Sequence, residues 1–365
     1  MARVVLVGAF GQRNVGDEAL CAAFCAALRD HDVLVASADP GDTTARHGVA
    51  AFRPTPRAAV QAVRQADAVV VGGGTVFKRL LPGANRRRLG LLTNTAALVA
   101  WAHATGADVA LVGVGAGEMH GRLADAISGW IARHADLLVL RDEESAAVLD
   151  AASVPAPFWI AADPVWAQLD RRPAPPRRGT GGRRLTVALS HHARVDALAD
   201  ALGALAPAWS IRLQPWQAGG PDLTLARRLR EAVPSAVVEE PPANLDEAIA
   251  RLAESDVVLG LRFHALVAAA TAGTPFVAVA HEPKLAAIAR RLGQVSVPPN
   301  AAAEVLVTSV VDAPARGPAT PDAVAAEATA ARDAFGLLHL LLGGGAIDEP
   351  ASLAALPLSS GDGAW

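Results

Sequence analysis

The chain has 365 residues, 52% of them apolar, and a net charge of −3. Single cores rarely grow past about 250–300 residues, so this length predicts two domains, with apolar content enough for both. The near-neutral balance offers no basic face for nucleic acid, and two cysteines exclude a disulfide framework and fit a reducing compartment.

The first apolar run, Val4–Val7, is too short for the core of a signal peptide, and no run of about 18 apolar residues occurs later. The expected location is cytoplasmic, with peripheral attachment at the inner membrane face as an alternative. The strand runs into Gly8-Ala9-Phe10-Gly11-Gln12-Arg13-Asn14-Val15-Gly16-Asp17-Glu18-Ala19 and a helix predicted over Asp17–Arg29. A glycine-bearing turn entering a helix leaves backbone N–H groups for an anion or a sugar. Its spacing is not the dinucleotide fingerprint, and Asp17 and Glu18 in the first turn would repel a pyrophosphate. A plain capped helix start explains these residues equally well. Cys21 and Cys25 lie in this helix as small core residues, with no third cysteine to complete a metal site.

Strands Val33–Val35, Ala68–Val71, Val109–Val112 and Leu137–Leu140 then alternate with helical patterns at Arg57–Gln65, Leu92–Ala104, Leu123–His134 and Glu143–Leu149. That alternation is the signature of an open parallel sheet. Gly72-Gly73-Gly74 ends one strand and Gly113-Val114-Gly115-Ala116-Gly117 the next. Glycines there permit positive φ and close approach of a ligand to the backbone. Arg141 ends the following strand, before a helix with acids in its first turn. Asp163-Pro164 is an acid at a strand end, or only a turn former.

The stretch Arg171–Gly182 is too dense in Pro, Gly and Arg to pack and reads as an exposed linker. Domains are therefore expected at 1–170 and 183–345, joined by 171–182 and followed by a tail at 346–365. In the second half, strands are predicted at Leu185–Leu189, Ile211–Leu213, Ala236–Val238, Val257–Leu259, Pro275–Val279 and Val295–Val297, with a last helix over Pro321–Leu342. The expected fold is α/β: two Rossmann-like domains whose parallel sheets face a cleft, a glycosyltransferase-B-like layout. Fold alone does not assign chemistry.

The most informative cluster comes late. Gly260-Leu261-Arg262-Phe263-His264-Ala265 follows one strand, and His281-Glu282-Pro283-Lys284 follows the next. Neighbouring parallel strands thus aim Arg262, His264 and Lys284 at one crevice. Of 33 Lys+Arg, only Lys78 and Lys284 are lysine, so where arginine is the ordinary cation a compact ammonium has been kept. The set suits an anionic substrate with a proton to move. The histidines show no ligand spacing, and His191-His192 lacks carboxylate or thiolate neighbours, so no metal and no cofactor is expected.

Taken in order, these pieces resemble the polysaccharide pyruvyl transferase family over most of residues 3–290: Gly8…Gly11…Asn14…Gly16-Asp17-Glu18-Ala19, Gly72-Gly73-Gly74, Gly113-x-Gly115-x-Gly117, Arg141-Asp142-Glu143-Glu144-Ser145, Asp163-Pro164, Arg262-Phe263-His264-Ala265 and Glu282-Pro283-Lys284. The resemblance implies phosphoenolpyruvate as co-substrate and a pyruvate ketal on a sugar or polysaccharide, with the acceptor lipid-linked or free. It puts Arg141, His264 and Lys284 where the family's donor-binding and catalytic groups lie. On that basis His264 is the expected general acid. Arg141, Arg262 and Lys284 bind the donor, and Asn14, Asp17, Gly73, Gly74, Gly115 and Asp163 line the acceptor side. The sequence departs from the family pattern at Phe10, Lys78, Glu118 and Phe263, which bears on the acceptor more than the donor. Two other readings stand beside this one: a nucleotide-sugar glycosyltransferase with Glu282 on the ribose, and an inactive subunit of a polysaccharide-assembly complex.

Overall fold

A computed structural model describes residues 1–79, 89–117, 119, 121–154, 157–169, 182–191 and 195–345. Glu118, His192, almost all of the expected linker (171–181) and the tail at 346–365 lie outside the described residues.

The first unit begins with β1 (Arg3–Val7), α1 (Val15–Ala27), β2 (Asp32–Ala36), α2 (Pro40–His47) and β3 (Ala50–Phe52). It continues through α3 (Pro56–Val63), β4 (Ala68–Gly72), β5 (Thr75–Phe77), α4 (Gly90–Thr105) and β6 (Asp108–Ala116). It closes with α5 (Arg122–His134), β7 (Leu137–Leu140), α6 (Glu143–Ala151), β8 (Trp159–Ile160) and a 3₁₀ turn at Pro164–Gln168. The second unit holds β9 (Arg183–Ala188), α7 (Val195–Leu205), β10 (Trp209–Gln214), α8 (Pro221–Ala232), β11 (Val237–Val238) and α9 (Leu245–Leu252). It then runs through β12 (Val257–Gly260), α10 (Phe263–Thr271), β13 (Phe276–Val279), α11 (Pro283–Arg291), β14 (Val295–Val297), α12 (Ala303–Arg316) and α13 (Pro321–Leu342).

The first sheet runs β3-β2-β1-β4-β6-β7-β8, with β5 added along β6, and the second runs β11-β10-β9-β12-β13-β14. All pairings between these strands are parallel. Their central strands β4, β7, β12 and β13 are buried along their whole length, as strands covered by helices on both faces must be. Strand order reverses between β1 and β4 in the first sheet and between β9 and β12 in the second. At such switch points the loops leave in opposite directions and open a crevice at the carboxyl ends.

The units are joined tightly. The Val15 N–H donates to the Trp216 carbonyl at 3.1 Å and the Ala218 N–H to the Arg13 carbonyl at 3.2 Å, an antiparallel clasp around Asn14 and Gln217. One hydrophobic cluster contains Phe24 and Val70 of the first unit with Trp216, Phe263 and Leu266 of the second. Helix α13, last in the chain, packs on β6, β7 and the 3₁₀ turn of the first unit. There Phe335 meets Phe24 edge-on, with centroids 5.1 Å apart.

The sequence pattern of glycine loops needs one correction. Gly113–Ala116 is not a strand-end loop but the continuation of β6, with a register shift between Val112 and Val114. Gly113 takes φ +64, and a Cβ there would meet Pro164 Cγ at 2.2 Å. The glycine lets the strand bulge and bend beneath the Asp163-Pro164 turn.

Candidate functional site

The side chains that matter gather where the two switch points face each other. Arg141 leaves the end of β7 and is only 3% exposed. Its Nε donates to Asp142 Oδ2 at 3.2 Å and its Nη2 to Thr75 Oγ1 at 2.9 Å. Its Nη1 lies 3.9 Å from Asp163 Oδ2, and the guanidinium sits 5.4 Å from the Phe263 ring centroid. Phe263 therefore gives the buried cation an aromatic face from the other unit. Asp142 does two tasks: it caps α6 through the Ser145 N–H at 2.7 Å and holds Arg141 with its other oxygen.

His264 lies in the first turn of α10, 14% exposed, with Nε2 3.5 Å from Asp163 Oδ1. Both His264 Nε2 and Asp163 Oδ2 are buried without a hydrogen-bond partner. Burial alone would push the Asp163 carboxyl up, but His264, Arg141 and the Val165 N–H outweigh it and hold the group below its ordinary value. Asp163 thus sits behind both His264 and Arg141, as their common anionic support.

Two glycines have a steric reason to be glycine. A Cβ on Gly16 would lie 2.0 Å from His264 Nδ1, and one on Gly115 would lie 2.4 Å from Arg141 Nη2. Each clears room for a functional side chain rather than for a ligand approaching the backbone. Gly73 (φ +66) turns against Leu20, whereas Gly74 (φ +75) has nothing within 4 Å of where its Cβ would be. Of the glycine pieces, Gly74 is the one that borders open space.

The second unit supplies Lys284, from the first turn of α11. Its side chain is 22% exposed and its ammonium contacts Glu282 Oε2. Burial, and then Arg141 across the cleft, depress the Lys284 pKa below the ordinary lysine value, and Glu282 only partly restores it. Asp17, in the first turn of α1, faces the same group: burial pushes its carboxyl up, while His264, Arg262 and Lys284 pull against that rise. Asp17, His264, Lys284 and Arg141 therefore share one electrostatic site built from both units.

Two expected residues have partners within their own units. Arg262 turns into its own unit, with Nη2 2.5 Å from Asp222 Oδ2 and Nε donating to the Leu189 carbonyl at 3.2 Å. Asn14 spends its side chain capping α1, accepting from the Gly16 N–H at 3.0 Å. Sequence reasoning gave no site role to Thr75 or Asp222. Neither carries a motif signal: Thr75 meets Arg141, while Asp222 meets Arg262 and accepts from the His191 N–H at 3.0 Å, all from distant parts of the chain.

Among the described residues no group of three or more His, Cys, Asp or Glu is placed to hold a metal, and no helix is long and apolar enough to cross a membrane.

Comparison with known proteins gives two results. The model of the polysaccharide pyruvyl transferase family matches residues 14–283. No curated protein matches the chain. Several solved structures share its fold at low identity. Anabaena Alr3699/HepE in complex with UDP-glucose superposes with a TM-score of 0.63 at 14% identity, covering 94% of this chain and 100% of its own. Staphylococcus aureus MnaA with UDP gives 0.65 at 9% identity, covering 94% and 97%. The Neisseria meningitidis UDP-GlcNAc 2-epimerase bound to UDP-GlcNAc gives 0.61 at 13% identity, covering 93% and 100%. These likenesses establish the two-domain, glycosyltransferase-B-like fold.

Proposed function

The chain belongs to the polysaccharide pyruvyl transferase family, and from that premise we propose that it transfers the pyruvyl group of phosphoenolpyruvate to two hydroxyls of a sugar, forming a ketal. One observation carries this reading. Lys284 of one unit, its ammonium on Glu282, is held below its ordinary pKa by burial and then by the like charge of Arg141 from the other unit. Such an arrangement is relieved by an anion bound between them. A donor with a carboxylate and a phosphate offers two: the planar carboxylate suits the guanidinium fork, and the phosphate suits a point charge.

The chemistry needs a proton donor and an acceptor hydroxyl. His264 delivers a proton to the methylene carbon, which becomes a methyl group. A sugar hydroxyl bonds to the neighbouring carbon and gives up its own proton to the carboxylate of Asp17. Phosphate then leaves with the electrons of its C–O bond, and a second hydroxyl of the sugar bonds to the same carbon, giving its proton to the imidazole of His264. Asp163 positions His264 and does not touch the donor. Arg262, tied to Asp222, steadies the entry to α10.

A nucleotide-sugar reading would draw on the relatives of similar fold solved with UDP or UDP-sugars. The family match favours the pyruvyl reading over it, because that match covers residues 14–283, whereas these relatives, at 9–14% identity, share the fold alone. Thermal shift decides between the two. At a hundredfold excess over its Kd, phosphoenolpyruvate should add about 2.7 kcal/mol of stability. A clear shift with UDP and none with phosphoenolpyruvate sinks the proposal. The affinity should also fall as pH rises, beginning below the range of an ordinary lysine, because Lys284 must carry its proton to hold the donor.

A further inference from the structure

Lys78 is one of the protein's two lysines, and the mechanism above gives it no task. It follows β5, which is pinned beside β6 by Thr75 opposite Gly115 and Phe77 opposite Ala116. The Gly117 N–H donates to the Phe77 carbonyl at 2.8 Å, fixing the turn from which Lys78 departs. The same strand gives Thr75 to Arg141, so β5 delivers one contact to the known site and sends the next side chain across the cleft.

The Lys78 ammonium ends 3.9 Å from Glu282 Oε1 on the opposite unit, while Glu282 Oε2 contacts Lys284. A single carboxylate is therefore shared by the two lysines, one from each unit. Burial would raise the Glu282 carboxyl, but Lys284 and then Lys78 overcome it and bring it to about 2. Lys284 in turn is pushed down by Arg141 and by Lys78. Arg141, Lys284 and Lys78 thus act on one region, and the Glu282 carboxylate meets both lysines. At 3.9 Å the Lys78 contact is beyond hydrogen-bond reach, and both side chains are near one-third exposed, so the pair is exchanged at little cost. A phosphoryl dianion has three acceptor oxygens where a carboxylate has two, and can take both ammonium groups at hydrogen-bonding distance.

We propose that Lys78 binds the phosphoryl group of the donor together with Lys284, and that Glu282 is the carboxylate this group displaces. The inference rests on the reading above for the donor's identity, but the geometry itself asks only for a phosphoryl dianion. Lys78 then couples donor binding to contact between the two units, because its phosphate partner is held by α11 of the other one.

Calorimetric titration of phosphoenolpyruvate and, separately, of inorganic phosphate tests this in the parent protein and in Lys78→Met, Lys78→Arg and Glu282→Gln. Lys78→Met should weaken both ligands by about tenfold to a hundredfold, the worth of one hydrogen bond to a charged group. Lys78→Arg should recover most of that loss, and Glu282→Gln should bind phosphate more tightly than the parent. Because these side chains are partly exposed, the melting temperatures of the variants report directly that the fold is kept. Unchanged affinity of Lys78→Met for both ligands, or weaker phosphate binding in Glu282→Gln, overturns the proposal. If the parent binds phosphate but not phosphoenolpyruvate, the donor reading fails while the phosphate titrations still decide the role of Lys78. A parent protein that binds neither ligand overturns both.

Discussion

On the first-unit wall of the cleft, α1 and α6 arrive with their ends already satisfied. Asn14 and Asp142 cap them, and each carries two acids in its first turn, Asp17 with Glu18 and Glu143 with Glu144. On the second-unit wall, α10 and α11 begin at Arg262 and Glu282 with no side-chain cap and no acid in the first turn. A helix end in the second condition keeps free N–H groups and an unopposed positive dipole, whereas one in the first repels an anion. Burial follows the same division: Arg141 and Asp163 are almost fully enclosed, while His264, Lys284 and Glu282 retain access to solvent. The difference implies a division of labour under the proposed function. The second wall holds the phosphate, with Lys78 reaching it from the first, and delivers the proton through His264; the first wall offers Arg141 and faces the sugar.

The largest effect expected from this division is at His264. His264→Asn should keep the melting temperature and most of the affinity for phosphoenolpyruvate, yet lose roughly 10²–10⁴-fold in kcat, the usual range for a general acid. Asp163→Asn, on the first wall, should lose less in kcat and recover none of it when the donor is saturating, because it acts only through the orientation of His264. A destabilised but fully active His264→Asn protein would remove the imidazole from the chemistry and erase the contrast between the walls.

Next in size are the two clearance glycines, which separate the walls sterically. Gly16→Ala places a Cβ 2.0 Å from His264 Nδ1, and Gly115→Ala places one 2.4 Å from Arg141 Nη2. Neither glycine has a positive φ, so the expected cost is displacement of the facing side chain and not backbone strain. Overpacking of this kind costs about 1–3 kcal/mol, or roughly fivefold to a hundredfold where it falls on activity. Gly16→Ala should lower kcat, and Gly115→Ala should raise KM for the donor. Equal effects of both substitutions on both parameters would mean that the walls are not functionally distinct.

Much of this division was legible in the residue order. The parallel alternation gave both sheets, because strands buried on two faces read as continuous apolar runs such as Val69-Val70-Val71 and Leu137–Leu140. Some short elements were not legible: β3, β5 and β8 have too few residues for a period to show, and α2 buries only Thr43 and so carries no apolar stripe. The conjunction of Arg262, His264 and Lys284 was readable from strand ends, since neighbouring parallel strands send their carboxyl ends to one edge; Arg141, in the other sheet, joined them only through the family resemblance. The roles of Gly16 and Gly115 were not, because each depends on a side chain more than twenty residues away. Arg262 was legible as a cation at a strand end, but its ion pair with Asp222, from a helix start elsewhere in the chain, was not.

The smallest effect expected lies in the ion pairs that bridge the walls, and its sign follows from Glu282. Its carboxyl is brought from an ordinary value of 4.5 to about 2, by Lys284 and Lys78 acting against burial. A carboxylate whose folded pKa is depressed stabilises the folded protein above its unfolded pKa. That contribution is lost as pH falls from about 4.5 toward 2. With 34% of the side chain exposed, screening reduces the stability involved to roughly 1 kcal/mol. Denaturant unfolding of the parent and of Glu282→Gln, followed from neutral pH into that window, should show two stability curves that converge on acidification, because the variant has no proton to take up at this position. The Lys78→Met protein should fall between them, since Lys284 remains on the carboxylate and only the contact from the first wall is gone. Curves that stay parallel would mean that Glu282 titrates alike in folded and unfolded chains. The lysines would then exert no hold on it, and the contact between the walls would be incidental.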